Sequence, residues 1–132
     1  MPGYGGSGQA QLLRSNHQVA LFGSGGTVGE TVAAGTLSIA YQLERINRTF
    51  YPFGASFQLT FGGNPGAFEI DIMTSDIDEQ IYYCTINSIT STAQLNPNYS
   101  GRVELPNFWA KYVAAYVKTL TNPVSVALLL TR

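Results

Sequence analysis

Three carboxylates stand close together in this chain, at Asp76, Asp78 and Glu79, and three carboxylates on one loop could hold a calcium ion. The pattern that specifies a helix–loop–helix calcium site is missing, because the sixth position from Asp76 is Ile81 and the twelfth is Asn87. The three therefore read as solvated turn carboxylates; a weak calcium site at that turn stays open, and no built metal site is expected. As a general acid and base they are poorly placed, since an exposed turn does not supply the raised pKa that an acid needs. Cys84 is the one cysteine and His17 the one histidine, so no intrachain disulfide, zinc site or nucleophile relay can be assembled. Cys84 lies in the apolar run Ile81-Tyr-Tyr-Cys-Thr-Ile86, where a small buried thiol is expected. Gly23, Gly25, Gly26 and Gly29 invite a phosphate-loop reading, but Val28 stands where the third glycine is needed and no Gly-Lys-Ser/Thr follows. They read as turn residues. These residues give no catalytic group and no cofactor, so the chain is expected not to be an enzyme.

The aromatic residues point elsewhere. Eight Tyr, seven Phe and one Trp among 132 residues exceed the needs of a small core, and tyrosine is favoured on binding faces. Tyr4, Trp109, Tyr112 and Tyr116 are the candidate interface. Charged residues make up only 11% of the chain, against roughly 25% in ordinary soluble domains, so Ser, Thr, Asn, Gln, Gly and Tyr must cover the surface. Two kinds of protein tolerate that: secreted β-modules and subunits that bury surface against neighbours. The formal charge of −1, with no basic cluster, excludes a phosphate-backbone partner. No apolar run approaches the ~18 residues of a membrane span, and the start Met-Pro-Gly-Tyr-Gly-Gly-Ser-Gly lacks the regions of a signal peptide. The expectation is a soluble cytosolic product with no membrane partner, in which Asn47-Arg-Thr49 and Asn98-Tyr-Ser100 match the glycosylation pattern by chance.

What must position these residues is a sheet. Residues 1–16 read as a flexible Gly-rich arm, with four Gly and one Pro in the first ten positions, that could order on a neighbouring subunit. From residue 17 to 132 the signal has period two, which puts alternate side chains on one sheet face. Leu37, Ile39, Tyr41 and Leu43 alternate with polar or small residues, as do Phe57, Leu59 and Phe61, and Phe68, Ile70 and Ile72. Gly62-Gly-Asn-Pro-Gly66 is expected to join the second and third runs as a β-hairpin. A further strand is expected over Gln80 to Asn87, and a closing hairpin over the last quarter of the chain through Thr121-Asn-Pro123. Phe108, Trp109, Tyr112, Val113, Tyr116 and Val117 recur at helical spacing, but aromatic and β-branched content favours strand from about residue 111. The predicted fold is all-β: a single antiparallel β-sandwich of jelly-roll or immunoglobulin-like form. Phe57, Leu59, Phe61, Phe68, Ile70, Ile72, Val126 and Leu128 are its predicted core.

The run Phe68-Glu-Ile-Asp-Ile-Met-Thr-Ser-Asp-Ile-Asp-Glu, the Tyr-rich strand after it and the closing Tyr112-Val-Ala-Ala-Tyr-Val-Lys-Thr-Leu-Thr-Asn-Pro-Val-Ser-Val-Ala-Leu128 resemble small β-sandwich structural proteins of tailed bacteriophage virions. The likeness covers roughly residues 35–132. It implies a capsid decoration or cement subunit, a dimer or trimer that binds the major capsid protein or other virion subunits, has no active site and assembles into virions in the host cytoplasm. The alternative is a carbohydrate-binding β-sandwich, or a tail, fibre or neck component touching the host surface, with Trp109, Tyr112 and Tyr116 as a stacking platform.

Overall fold

The computed structural model describes residues 11–13, 18–23, 31–43, 53–91, 95, 99–108 and 110–131. Nine strands appear among them: β1 (Gln11–Leu13), β2 (Gln18–Phe22), β3 (Tyr41–Leu43), β4 (Phe53–Phe61), β5 (Phe68–Ser75), β6 (Cys84–Thr90), β7 (Ser100–Phe108), β8 (Tyr112–Leu120) and β9 (Val126–Thr131). They form two sheets, one ordered β1-β3-β8-β5-β6 and the other β2-β9-β4-β7. Apart from the β1–β3 pair, which is parallel, all pairings are antiparallel.

The strand order makes this a jelly roll rather than an immunoglobulin-like sandwich. From β2 to β9 the chain changes sheet at every connection but one, the β5–β6 turn. Such wrapping is the double-sheet arrangement in which two Greek keys enclose one core.

The core follows the period-two runs. Phe57, Leu59, Phe61, Phe68, Ile70, Ile72, Val126 and Leu128 are all buried, joined by Val113, Val117 and Leu130. Gln58, between two fully buried neighbours, is exposed, as alternation requires. β8 lies at the centre of its sheet between β3 and β5, which is why a strand and not a helix occupies 112–120. Tyr41 ties the layers together, its hydroxyl donating across to the Ala20 carbonyl on β2 at 3.2 Å.

Both expected hairpins are corrected. β4 and β5 lie in different sheets, and so do β8 and β9, so each turn is a corner crossing the sandwich. The two corners lie side by side. The N–H of Asn122 donates to the Pro65 carbonyl at 3.1 Å, that of Thr121 to the Ala67 carbonyl at 2.9 Å, and that of Gly62 to the Ser125 carbonyl at 2.9 Å. The Asn122 side-chain amide also donates to the Asn64 carbonyl at 3.0 Å. Phe61 and Phe68, on either side of the first corner, meet edge to face with centroids 4.8 Å apart.

Other expectations shift as well. Of the run 36–43 only Tyr41–Leu43 is a strand; upstream of it the chain runs along β8 through a single bridge, Leu37 to Tyr116. There the Ser38 hydroxyl replaces a ladder carbonyl by accepting from the Ala115 N–H at 2.8 Å. Gln80–Tyr82 is a turn of 3-10 helix, and the strand begins at Cys84. Within the expected arm, Gln11–Leu13 pairs with β3 as an edge strand; residues 1–10 and 14–16 lie outside the described residues.

Two predictions follow from this packing. Phe68→Ala should cost roughly 3–5 kcal/mol in urea melts by opening a cavity under the corner, while Gln58→Ala should stay within about 0.5 kcal/mol. Gly66 has φ +65° and an added Cβ would sit 3.1 Å from the Asn122 amide and 3.2 Å from Thr121 Cβ. Gly66→Ala should therefore cost roughly 2 kcal/mol. Gly35, at φ +92° but with open space around it, should cost less when changed to Ala.

Candidate functional site

Of the four candidate interface residues, Tyr4 and Trp109 lie outside the described residues. Tyr112 and Tyr116 are brought together. Both are half-buried on the outer face of the five-stranded sheet, because Val113, Ala115 and Val117 between and beside them point into the core. Four residues of strand separate them by about 14 Å, and the fully buried Ala114 forms the floor between them. In register with these three lie Ser75, Met73 and Asp71 on β5.

Asp71 is the unexpected member of this face. It is only 6% exposed, and a carboxylate so sheltered needs donors. Ser88 Oγ donates to Oδ1 at 2.7 Å and Thr85 Oγ1 to Oδ2 at 3.3 Å, both from β6. Glu69, two residues upstream on the same face, takes the Lys118 ammonium at 3.4 Å. The outer face thus sets a hydrogen-bonded carboxylate beside Tyr116, with Ala114 and Met73 between that level and Tyr112. Asp71 was not among the residues singled out from sequence; the available signal was its place in an alternating run, and its partner Ser88, directly opposite on the neighbouring β6, is revealed only by the register.

At the end of the sandwich where β5 turns into β6, two of the three carboxylates, Asp76 and Asp78, are used structurally. Asp76 Oδ1 accepts from the Lys111 N–H at 3.1 Å, joining this turn to the one before β8. Asp78 Oδ1 accepts from the Tyr83 hydroxyl at 2.9 Å. Among the described residues no group of three or more His, Cys, Asp or Glu could hold a metal ion. Tyr83 is buried, and burial pushes its phenol far above the ordinary tyrosine range, with the hydrogen bond to Asp78 and that residue's charge adding to the effect.

The Cys84 thiol is exposed, against the expected burial, because β6 is the last strand of its sheet and its first four residues face solvent. His17 lies outside the described residues, as do Gly25, Gly26 and Gly29.

The same end carries the largest exposed apolar side chains. Ile81 is 80% exposed, and Ile77, Tyr82 and Ile86 are each exposed by about half. Ile77 and Ile81 with Tyr82 project from the turn, and Ile86 from β6. Several large apolar side chains exposed within ten residues are a feature of contact surfaces rather than of reaction sites. Sequence reading missed it by taking Gln80–Asn87 as one strand, whereas Gln80–Tyr82 is a 3-10 turn.

No protein-family model matches the chain, and no curated protein matches its sequence.

The Tyr83–Asp78 bond gives a pH prediction. A phenol whose folded pKa is raised stabilises the fold fully below its unfolded value near 10, and that stability is lost as pH climbs above it. Urea midpoints of the wild type should hold up to about pH 10 and fall progressively above it. Tyr83→Phe should cost roughly 1.5 kcal/mol at pH 7 by losing a hydrogen bond to a charged group, and its alkaline decline should be shallower.

Proposed function

We propose that this chain is a non-enzymatic structural subunit of a tailed-phage virion, a decoration or cement protein that binds the assembled shell and strengthens it. The observation that carries this reading is the apolar end formed by Ile77, Ile81, Tyr82 and Ile86 on a surface with very few charges. Leaving several large apolar side chains in water is unfavourable by about 25 cal/mol per Å², and a contact partner removes that cost. The jelly roll is consistent with it, being a fold of viral capsid domains, though lectins share the architecture. The resemblance of residues 35–132 to phage β-sandwich proteins adds to the same side. The partner would be the major capsid protein or another virion subunit, and the place of action the virion.

The outer face favours a second reading. Two tyrosine rings about 14 Å apart, with a hydrogen-bonded carboxylate between β8 and β6, suit stacking on sugar rings. A tail, fibre or neck component holding a host glycan would use that face, and Tyr112→Ala with Tyr116→Ala would abolish glycan-array signals without touching shell attachment.

A protein that binds only the assembled shell stabilises that state by mass action. Particles carrying it should release DNA at a higher temperature than particles lacking it, and Ile81→Asp, at a side chain that supports nothing in the fold, should weaken attachment at least tenfold. Equal release temperatures with and without the protein would refute reinforcement of the shell.

A further inference from the structure

We propose that the turn over residues 76–82 is a preformed docking knob, and that its partner is a protein surface with an apolar hollow bordered by Lys and Arg. This rests on the reading of that end as a contact surface, not on the partner being a virion.

A loop that leaves its apolar side chains in water is ordinarily loose, because it has few buried contacts to hold it. This one is braced. Ser75 Oγ donates to the Ile77 carbonyl at 2.6 Å and accepts from the Ile77 N–H at 2.9 Å. The Glu79 N–H donates to the Ile77 carbonyl at 2.8 Å, and the N–H groups of Tyr82 and Tyr83 donate to the Glu79 and Gln80 carbonyls at 2.9 and 3.3 Å. Asp76 ties the turn to the Lys111 N–H, and Asp78 ties it to the buried Tyr83 hydroxyl. Yet Ile77, Ile81 and Tyr82 stay outside, at 50%, 80% and 48% exposure. The conformation is in place before a partner arrives, so docking loses little further entropy. A side chain as exposed as Ile81 has little of its own chain around it. The surface is therefore convex there, and its complement is a hollow.

Charge selects the border of that hollow. Asp76 and Asp78 accept from an amide and a phenol, neutral donors that leave both charges uncancelled. The Glu79 side chain makes no capping bond to the 3-10 turn it precedes. Among the described residues the ion pairs are Arg102–Glu104 and Lys118–Glu69, and neither includes these three. Lys111 sets its ammonium over the Tyr112 ring, 5.5 Å from the centroid. Carboxylates and exposed apolar side chains thus share one turn, and complementarity calls for cations around an apolar centre. The same charges select against other occupants. A second copy meeting turn to turn would set like charges against each other, and an anionic lipid surface would be repelled in the same way.

A short, flexible amphipathic Leu/Lys peptide stands in for such a border. Titrated into the full chain, it should move the amide resonances of residues 76–82, while a Leu/Glu peptide of the same pattern should leave them in place. Glu79→Gln should weaken the Leu/Lys peptide about threefold, as for an exposed charge pair, and Ile81→Ser should weaken it about tenfold by removing apolar burial. Both variants should keep the circular dichroism spectrum, since neither side chain supports the fold. No movement at 76–82, or equal binding of the two peptides, overturns the proposal. So does movement at 76–82 on raising the concentration of the protein alone, which would make a second copy the occupant. On purified particles, raising the salt from roughly 50 to 300 mM should weaken attachment severalfold by shortening the Debye length. Attachment indifferent to salt and to Glu79→Gln would overturn the cationic border and leave the virion reading in place. No attachment at all, with the peptide still seated on 76–82, would refute the virion reading and leave the docking surface.

Discussion

The structure depends on two corners held against each other. The turns after β4 and after β8 carry the chain from one sheet to the other, and the backbone bonds of Gly62, Thr121 and Asn122 to Ser125, Ala67 and Pro65 make the two crossings one unit. Because β5 and β8 are paired in one sheet while β4 and β9 are paired in the other, the same four strands meet again on both sides of the core. Any register slip in one pair would have to pass through the corners into the other. Since a one-residue slip turns every core side chain outward, the corners fix which of Phe57, Ile70, Val117 and Leu128 face inward. Gly66 is the point of closest approach, which is why its missing Cβ matters more than that of Gly35.

This arrangement explains what could be read from sequence. Alternation is a local property, so the core of β4, β5 and β9 was legible residue by residue. A turn cluster such as Gly-Gly-Asn-Pro-Gly is also local, but it specifies only that the chain reverses. Whether the reversed strand pairs with its predecessor or crosses to the facing sheet depends on partners far along the chain: Asn122 for this turn, Pro65 for the other. β7 was illegible for another reason. Ser-Gly-Arg-Val-Glu-Leu-Pro-Asn-Phe contains Gly, Pro and a charge pair, each a poor strand former, and it survives as an edge strand because only one side must pair.

The candidate surfaces were partly legible. Tyr112 and Tyr116 were visible as excess aromatics at a spacing that either a helix or a strand face could use, and the strand put them on one face. The exposed Ile77–Tyr82 end was hidden by a mistaken strand boundary: Gln80–Tyr82 is a 3-10 turn with no buried residue, so Ile81 and Tyr82 both meet water. Exposure of Cys84 follows from the same error, since burial of a thiol in a strand presumes neighbours on both sides and β6 has one.

How the charges are spent bears on recognition. Arg102 pairs with Glu104 and Lys118 with Glu69, Asp71 is enclosed by hydroxyls, and Asp76 and Asp78 are taken up by the Lys111 amide and the Tyr83 phenol. A hydrogen bond from a neutral donor does not cancel charge, so of these groups only the two ion pairs are internally neutral. The formal net charge of −1 gives long-range steering of the whole chain little to act on, and docking then proceeds at the modest on-rates typical of orientation-limited association. Ile77, Ile81, Tyr82 and Ile86 are exposed at the β5–β6 end, and an apolar contact is short-ranged and governed by packing. A contact built that way forms slowly and is held by its packing, which suits a subunit added once to an assembly more than a ligand exchanged repeatedly.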